Sequence, residues 1–172
     1  MDENAFQELG RGHDLSIPKS VEDGGLSSSD AVAVGRWGEQ MVYSFYLEQS
    51  KQPESDILSV TWINQSLEKE LPYDIDVTLK TVIPQDSRTI LTDGDEVTNL
   101  RHVYVEVKST LAEQKAFFEL SYNQLKFAED KADDFHIVRV YNVGKTETVK
   151  MDRLENLALK LKEKQVKLCM VI

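Results

Sequence analysis

The 172-residue sequence holds one cysteine, four prolines and no apolar run longer than a few residues. Cys169 alone can form neither an internal disulfide nor a multi-cysteine zinc site. A bilayer-crossing helix needs roughly 18 or more apolar residues, and none is predicted here. The start, Met1-Asp2-Glu3-Asn4-Ala5, lacks the basic flank and apolar stretch of a secretory signal. Three histidines, His13, His102 and His136, lie far apart, and the eight glycines fit no phosphate-binding loop. Bases are outnumbered by acids, 20 to 30, for a net charge of −10. That sign is wrong for gripping nucleic acid through bulk electrostatics. The expectation is a soluble, intracellular chain with one main domain and no membrane partner.

The charge is uneven. Residues 1–30 carry seven acids and two bases, and residues 144–172 carry four acids and seven bases, which leaves −8 between them. Residues 1–29 are expected to be a flexible linker, because Gly10, Gly12, Pro18, Gly24, Gly25 and Ser27 to Ser29 interrupt every periodicity. A single domain is expected over 30–172, as the C-terminal part of something longer.

From Asp30 the pattern turns helical. Val34, Trp37, Met41, Val42 and Phe45 form one amphipathic stripe, with Ser29 or Asp30 as the cap. Ile57 to Trp62 is a strand candidate. Two further strands, Tyr73 to Lys80 and Val103 to Ser109, alternate with period two, so Asp74 and Asp76 lie on the polar face of the first, and Tyr104, Glu106 and Lys108 on the polar face of the second. Between them, 83–100 reads as a polar excursion with a turn at Asp93-Gly94-Asp95. Ser121 to Gln124 is a capping box with Leu120 and Leu125 as its staple, opening a helix to about Asp133. Phe135 to Tyr141 reads as a strand, Asp152 to Gln165 as a helix opened by a second box, and Val166 to Ile172 as a last strand with Cys169 in the core. The fold class is α/β: a mixed sheet flanked by helices, an αβββαβ core and a C-terminal helix–strand extension.

The chemistry gathers on Asp74, Glu106 and Lys108. If their strands pair, two carboxylates and an ammonium converge. Phosphodiester hydrolysis uses such a set: hard oxygen ligands for a divalent cation, and a positive group for the attacking water and the phosphate charge. The plainer reading is an ion pair between Glu106 and Lys108 on a solvated strand face. Glu39 reads equally as a solvated edge of the first helix and Gln124 as half of a capping box. Lys160, Lys162, Lys164 and Lys167 read as a solvated face or as a contact for a partner or nucleic acid.

Six segments carry a resemblance, in this order: Val34-Gly35-Arg36-Trp37-Gly38-Glu39, Trp62-Ile63-Asn64, Leu71-Pro72-Tyr73-Asp74-Ile75, Val105-Glu106-Val107-Lys108-Ser109-Thr110, Phe118-Glu119-Leu120-Ser121 and Val138-Arg139-Val140-Tyr141-Asn142. With them the sequence resembles the PD-(D/E)XK nuclease superfamily and, more narrowly, its NO VEIN C-terminal domain family. The resemblance implies a restriction-endonuclease-like fold and a nuclease site using Mg²⁺ or Mn²⁺. Asp74, Glu106 and Lys108 match the catalytic positions. Asp74, Glu106, Glu39 and the Val107 carbonyl would hold the metal, with Gln124 accessory where relatives often carry an acid. Tyr73 rather than proline precedes Asp74, and 32 residues separate Asp74 from Glu106. The family occurs in restriction-type systems and at the end of large eukaryotic proteins, so the implied partners are nucleic acid and other domains of a parent chain. The acidic middle of the chain adds that the domain alone should bind nucleic acid weakly. A eukaryotic parent implies a nuclear location. The rival is a non-catalytic interaction module that keeps the fold; a phosphate-ester or nucleotide hydrolase would be a third class.

Overall fold

The computed structural model describes residues 28–67, 69–82 and 98–169. Residues 1–27 of the expected linker, and the turn expected at Asp93 to Asp95, lie outside them. Helix α1 spans Ser28–Ser50. Its stripe is as expected: Val34, Trp37, Met41, Val42 and Phe45 are all buried. Ser29 and Asp30 sit inside the helix instead of capping it. Asp30 then lies in the first turn, where a carboxylate meets the open N–H groups favourably.

Five strands follow: β1 Ile57–Trp62, β2 Ile75–Val82, β3 Thr98–Ser109, β4 Phe135–Tyr141 and β5 Lys150–Glu155. They form one sheet in sequence order, antiparallel throughout except between β3 and β4. That pair is parallel because the chain crosses over between them through α2, Tyr122–Lys131, and a 3₁₀ turn, Ala132–Asp134. The first two central strands pair as expected, with Ile75 opposite Val105 and Val77 opposite Val103. β3 is longer than expected, because Thr98 to Leu100 already pair with β2.

Each face of the sheet has its own core. Ile75, Val77, Val105, Val107, Val138 and Val140 pack with the α1 stripe. On the opposite face Phe135 and Ile137 pack with Ala128 of α2 and Leu157 of α3, Leu157–Lys162. Gly38 lets α1 come close to β3: a Cβ there would run into Ser109 Oγ and lie 2.9 Å from Ser109 Cβ.

The C-terminal extension runs strand then helix, the reverse of the expected order. Residues 150–155 take the free edge of β4, with Met151 opposite Val140 and Leu154 opposite Ile137. A buried strand leaves its backbone groups unpaired unless a neighbour supplies partners, and that demand outweighs the box at Asp152. The helix starts later, at Asn156, whose side chain accepts from the Leu159 N–H at 3.0 Å. Residues 163–169 form no strand, and Cys169 is exposed rather than in the core. Among the described residues no helix is long and apolar enough to cross a membrane.

Candidate functional site

Asp74 is the residue just before β2. Its own N–H donates to the Val105 carbonyl at 2.9 Å, which locks it to β3. Its carboxylate is aimed by two donors, the Val107 N–H at 2.8 Å and Asn64 Nδ2 at 3.2 Å. Asn64 is buried, and Arg36 holds its carbonyl while stacking on Trp62. The segment Trp62-Ile63-Asn64 therefore serves to orient Asp74. Val107 turns its N–H toward Asp74. Its carbonyl projects from the same edge of the strand, as both groups of one strand residue do.

Glu106 rises from β3 on the α2 side and is 4% exposed. Its Oε1 lies 2.9 Å from Lys108 Nζ and accepts from Gln124 Nε2 at 2.6 Å. Lys108 Nζ also donates to Gln124 Oε1 at 3.2 Å, which closes a triangle of acid, ammonium and amide. Gln124 is positioned by the helix start. Its Oε1 accepts from the Ser121 N–H at 2.9 Å, while its own N–H donates to Ser121 Oγ at 3.1 Å. The capping box and the contact to Glu106 are both made by this one side chain, so the two readings of Gln124 are compatible.

Glu106 is where the electrostatics are decided. Burial, then the Asp74 charge, push its carboxyl up to about 8, Lys108 pulls the other way, and Glu39 adds a smaller push upward. The ammonium at 2.9 Å loses to desolvation and like charge together.

Glu39 is near enough to be felt by Glu106, but its Oε2 accepts from Trp62 Nε1 at 2.8 Å and lies 3.7 Å from Arg36. It stands beside the pair of carboxylates on the α1 side. Among the described residues no group of three or more His, Cys, Asp or Glu side chains is gathered for a metal. Asp74, Glu106 and the Val107 carbonyl are the groups here that could hold a cation, with Glu39, engaged by Trp62 and Arg36, nearby. All three offer hard oxygens, the chemistry that suits Mg²⁺ or Mn²⁺. His102 pairs instead with Asp76 at 2.9 Å. Lys160 and Lys162 are on α3, and Lys160 donates to Gln165.

Nothing in the sequence alone marks Asn64 or Gly38 as part of the site. An asparagine just past a strand, ten residues before an aspartate, is an ordinary turn signal, and only the fold shows that it is buried against that aspartate.

Fold and site together define a mixed α/β domain that gathers two carboxylates, an ammonium and an amide where β2 begins and β3 ends. Residues 38–151 match the family described as Protein NO VEIN, C-terminal, and the chain belongs to that family. It is similar to Protein NO VEIN-LIKE of Arabidopsis thaliana, at 28% identity over 74% of this chain and 16% of that protein. It is similar also to Protein NO VEIN of the same plant, at 26% identity over 66% of this chain and 3% of that protein. The chain thus corresponds to a small part of the length of these relatives. No solved structure matches it.

Proposed function

We propose that this domain is a metal-dependent nuclease of the PD-(D/E)XK type, hydrolysing phosphodiester bonds. The observation that carries the reading is that the Asp74 carboxylate accepts from the Val107 N–H, while Glu106 beside it on β3 is pushed up to about 8 by burial and by the Asp74 charge with an ammonium 2.9 Å away. Asp74, Glu106 and the Val107 carbonyl would hold the Mg²⁺ or Mn²⁺, with Glu39 adjusting the charge beside them. When bound, the ion supplies Lewis-acid polarisation of the phosphate. Lys108 orients the attacking water and meets the charge that builds on the phosphoryl oxygens. Gln124 holds Lys108 and Glu106 in place. Asn64 and the Val107 N–H fix the Asp74 carboxylate.

The rival module has one observation in its favour. A net charge of −10 leaves little affinity to be gained from phosphate neutralisation. Both readings fit a domain that works within a larger chain. A nuclear location is proposed only for a eukaryotic parent.

Calorimetry with Mn²⁺ and cleavage assays on labelled single- and double-stranded substrates separate the two. The nuclease reading expects Asp74→Asn to remove metal binding and cleavage together, since a neutral amide is a poor ligand for a hard dication. Lys108→Ala should remove cleavage and leave metal binding in place. A folded wild-type domain with neither heat of Mn²⁺ binding nor cleavage decides for the module.

A further inference from the structure

Arg139 lies on β4 directly opposite Lys108 in the parallel register. Residues paired this way present their side chains on the same face of the sheet. Arg139 is 6% exposed, yet it carries a permanent charge. Its guanidinium lies over the rings of Phe118 at 4.9 Å and Tyr141 at 5.3 Å. One of its donors, Nη2, is taken by the Lys115 carbonyl at 3.1 Å. Among the described residues no carboxylate pairs with it. Asp152 stands opposite on β5 without forming an ion pair, Glu113 pairs with Lys150, and Glu155 pairs with Arg153.

Buried charges are normally paired, because desolvation is costly otherwise. Cation–π contact offsets part of that cost and holds the guanidinium plane in place. Among the described residues it leaves the remaining N–H donors without an acceptor. A flat, fixed, unpaired fork of donors matches an oxyanion with two oxygens to offer.

We infer that Arg139 is a phosphate seat, which binds a phosphodiester group of a nucleic-acid strand whose scissile phosphate lies at Lys108. The inference rests on the nucleic-acid reading of the Glu106–Lys108 site and names a contact that reading does not contain. Neighbouring strands are roughly 4.8 Å apart, so one phosphate or two consecutive ones can engage both cations. Two exposed rings frame the same segment, Phe117 (73% exposed) next to Phe118 and Tyr122 (77% exposed) next to Ser121. Unpaired bases stack on such faces, which favours a nucleic-acid strand over a free phosphate. Arg139 is a positioning residue here, acting on the strand rather than on the reacting water.

The test measures binding of a fluorescein-labelled oligothymidylate by anisotropy, in EDTA so that nothing is cut, across a series of KCl concentrations. Wild type should bind with a salt slope that Arg139→Gln reduces by about 0.7, one phosphate contact on a single strand, with affinity about tenfold lower. Arg139→Lys should restore the slope but not the full affinity, since it keeps the charge and loses the fork. A purely structural Arg139 would lower the thermal midpoint in both variants and leave the slope alone, which overturns the inference. Should Arg139→Gln fail to fold, the Arg139 Nε–H resonance of wild type must still shift on adding the oligonucleotide; no shift overturns it too. Displacement of the strand by an equal concentration of inorganic pyrophosphate would identify a free-phosphate site and overturn the assignment to nucleic acid. Cleavage with Mg²⁺, run in parallel, keeps the two claims apart. An Arg139-dependent slope without cleavage keeps the seat and removes the nuclease, and cleavage with an Arg139-independent slope does the reverse.

Discussion

On the α1 side of the sheet, Val77, Val105 and Val140 meet Trp37, Met41 and Val42, and every one of these residues is buried and apolar. On the α2 side, Phe135 and Ile137 share the interior with Glu106 and Arg139, and Lys108 lies half-buried beside them. The same strands supply both sides, since alternation sends Val105 and Val107 one way and Glu106 and Lys108 the other. One side is therefore built by removing apolar area from water, a non-directional gain that tolerates no gaps. The other holds ionisable groups at low exposure, where each needs a partner or costs stability. Stability is concentrated on the first side, and on the second part of it is given up to keep charged groups close together.

The largest expected effect separates the sides by pH. The folded Glu106 carboxyl titrates at about 8, against 4.5 for the ordinary side chain. Between those values the native state holds a proton that the unfolded chain has lost, so stability falls as pH rises through this window and levels off above it. The shift corresponds to roughly 5 kcal/mol as a ceiling. Glu106→Gln should flatten that slope, and above pH 8 the variant should be the more stable protein. Urea denaturation at pH 5, 7 and 9 checks this. A wild-type curve that rises with pH over the window would show that Lys108 outweighs burial and Asp74.

Changes on the α1 side should be insensitive to pH and nearly as large. Trp37→Ala removes a ring that is 4% exposed in the middle of the stripe, which costs about 3–5 kcal/mol. The measured loss should be the same at pH 5 and pH 9, and a loss that varied with pH would couple the two sides. Gly38→Ala is a finer probe. An alanine in a helix interior gains about 1 kcal/mol over glycine, but here the new Cβ meets Ser109. A net loss of about 1–3 kcal/mol is expected, with recovery in the double variant carrying Ser109→Gly. Failure of that rescue would place the conflict elsewhere than at β3.

The contrast between the sides also explains what could be read from the sequence. Apolar periodicity reports burial against an apolar partner, so α1, β1 and β4 were legible nearly to the residue, as was the pairing of β2 with β3. The Ser121–Gln124 box was legible because capping is local chemistry. Residues 150–155 were not, because only Met151 and Leu154 of their strand are apolar and half-buried, and its place is set by the open edge of β4, a demand set far away in the chain. That Glu106 and Lys108 share a face was legible from their spacing of two on a strand, and they meet at 2.9 Å. That Glu39 would turn to Trp62, and Asn64 to Asp74, depended on how closely α1 sits against the sheet. Arg139 looked like any charge in a strand until its rings and its missing carboxylate were in view.

The smallest effect dissects Gln124, which serves the helix and the site with one side chain. Ser121→Ala removes the hydroxyl that accepts the Gln124 N–H. It leaves Gln124 Nε2 on Glu106. Loss of such a cap costs about 1 kcal/mol, and Mn²⁺ binding should not change. Gln124→Ala loses its side-chain bond to the Ser121 N–H as well as the contacts to Glu106 and Lys108. Its cost in stability should be similar, because the freed Lys108 can still reach Glu106 at 2.9 Å. The difference should appear in the site. Without the amide donating to it, the Glu106 carboxylate loses one hydrogen bond that favours its charged form, so its titration should move further upward. Mn²⁺ should then bind more weakly near neutral pH, where a proton competes for the same oxygens. Chemical denaturation and Mn²⁺ calorimetry on the two variants give the comparison directly. Equal metal affinity in both would confine Gln124 to its capping role.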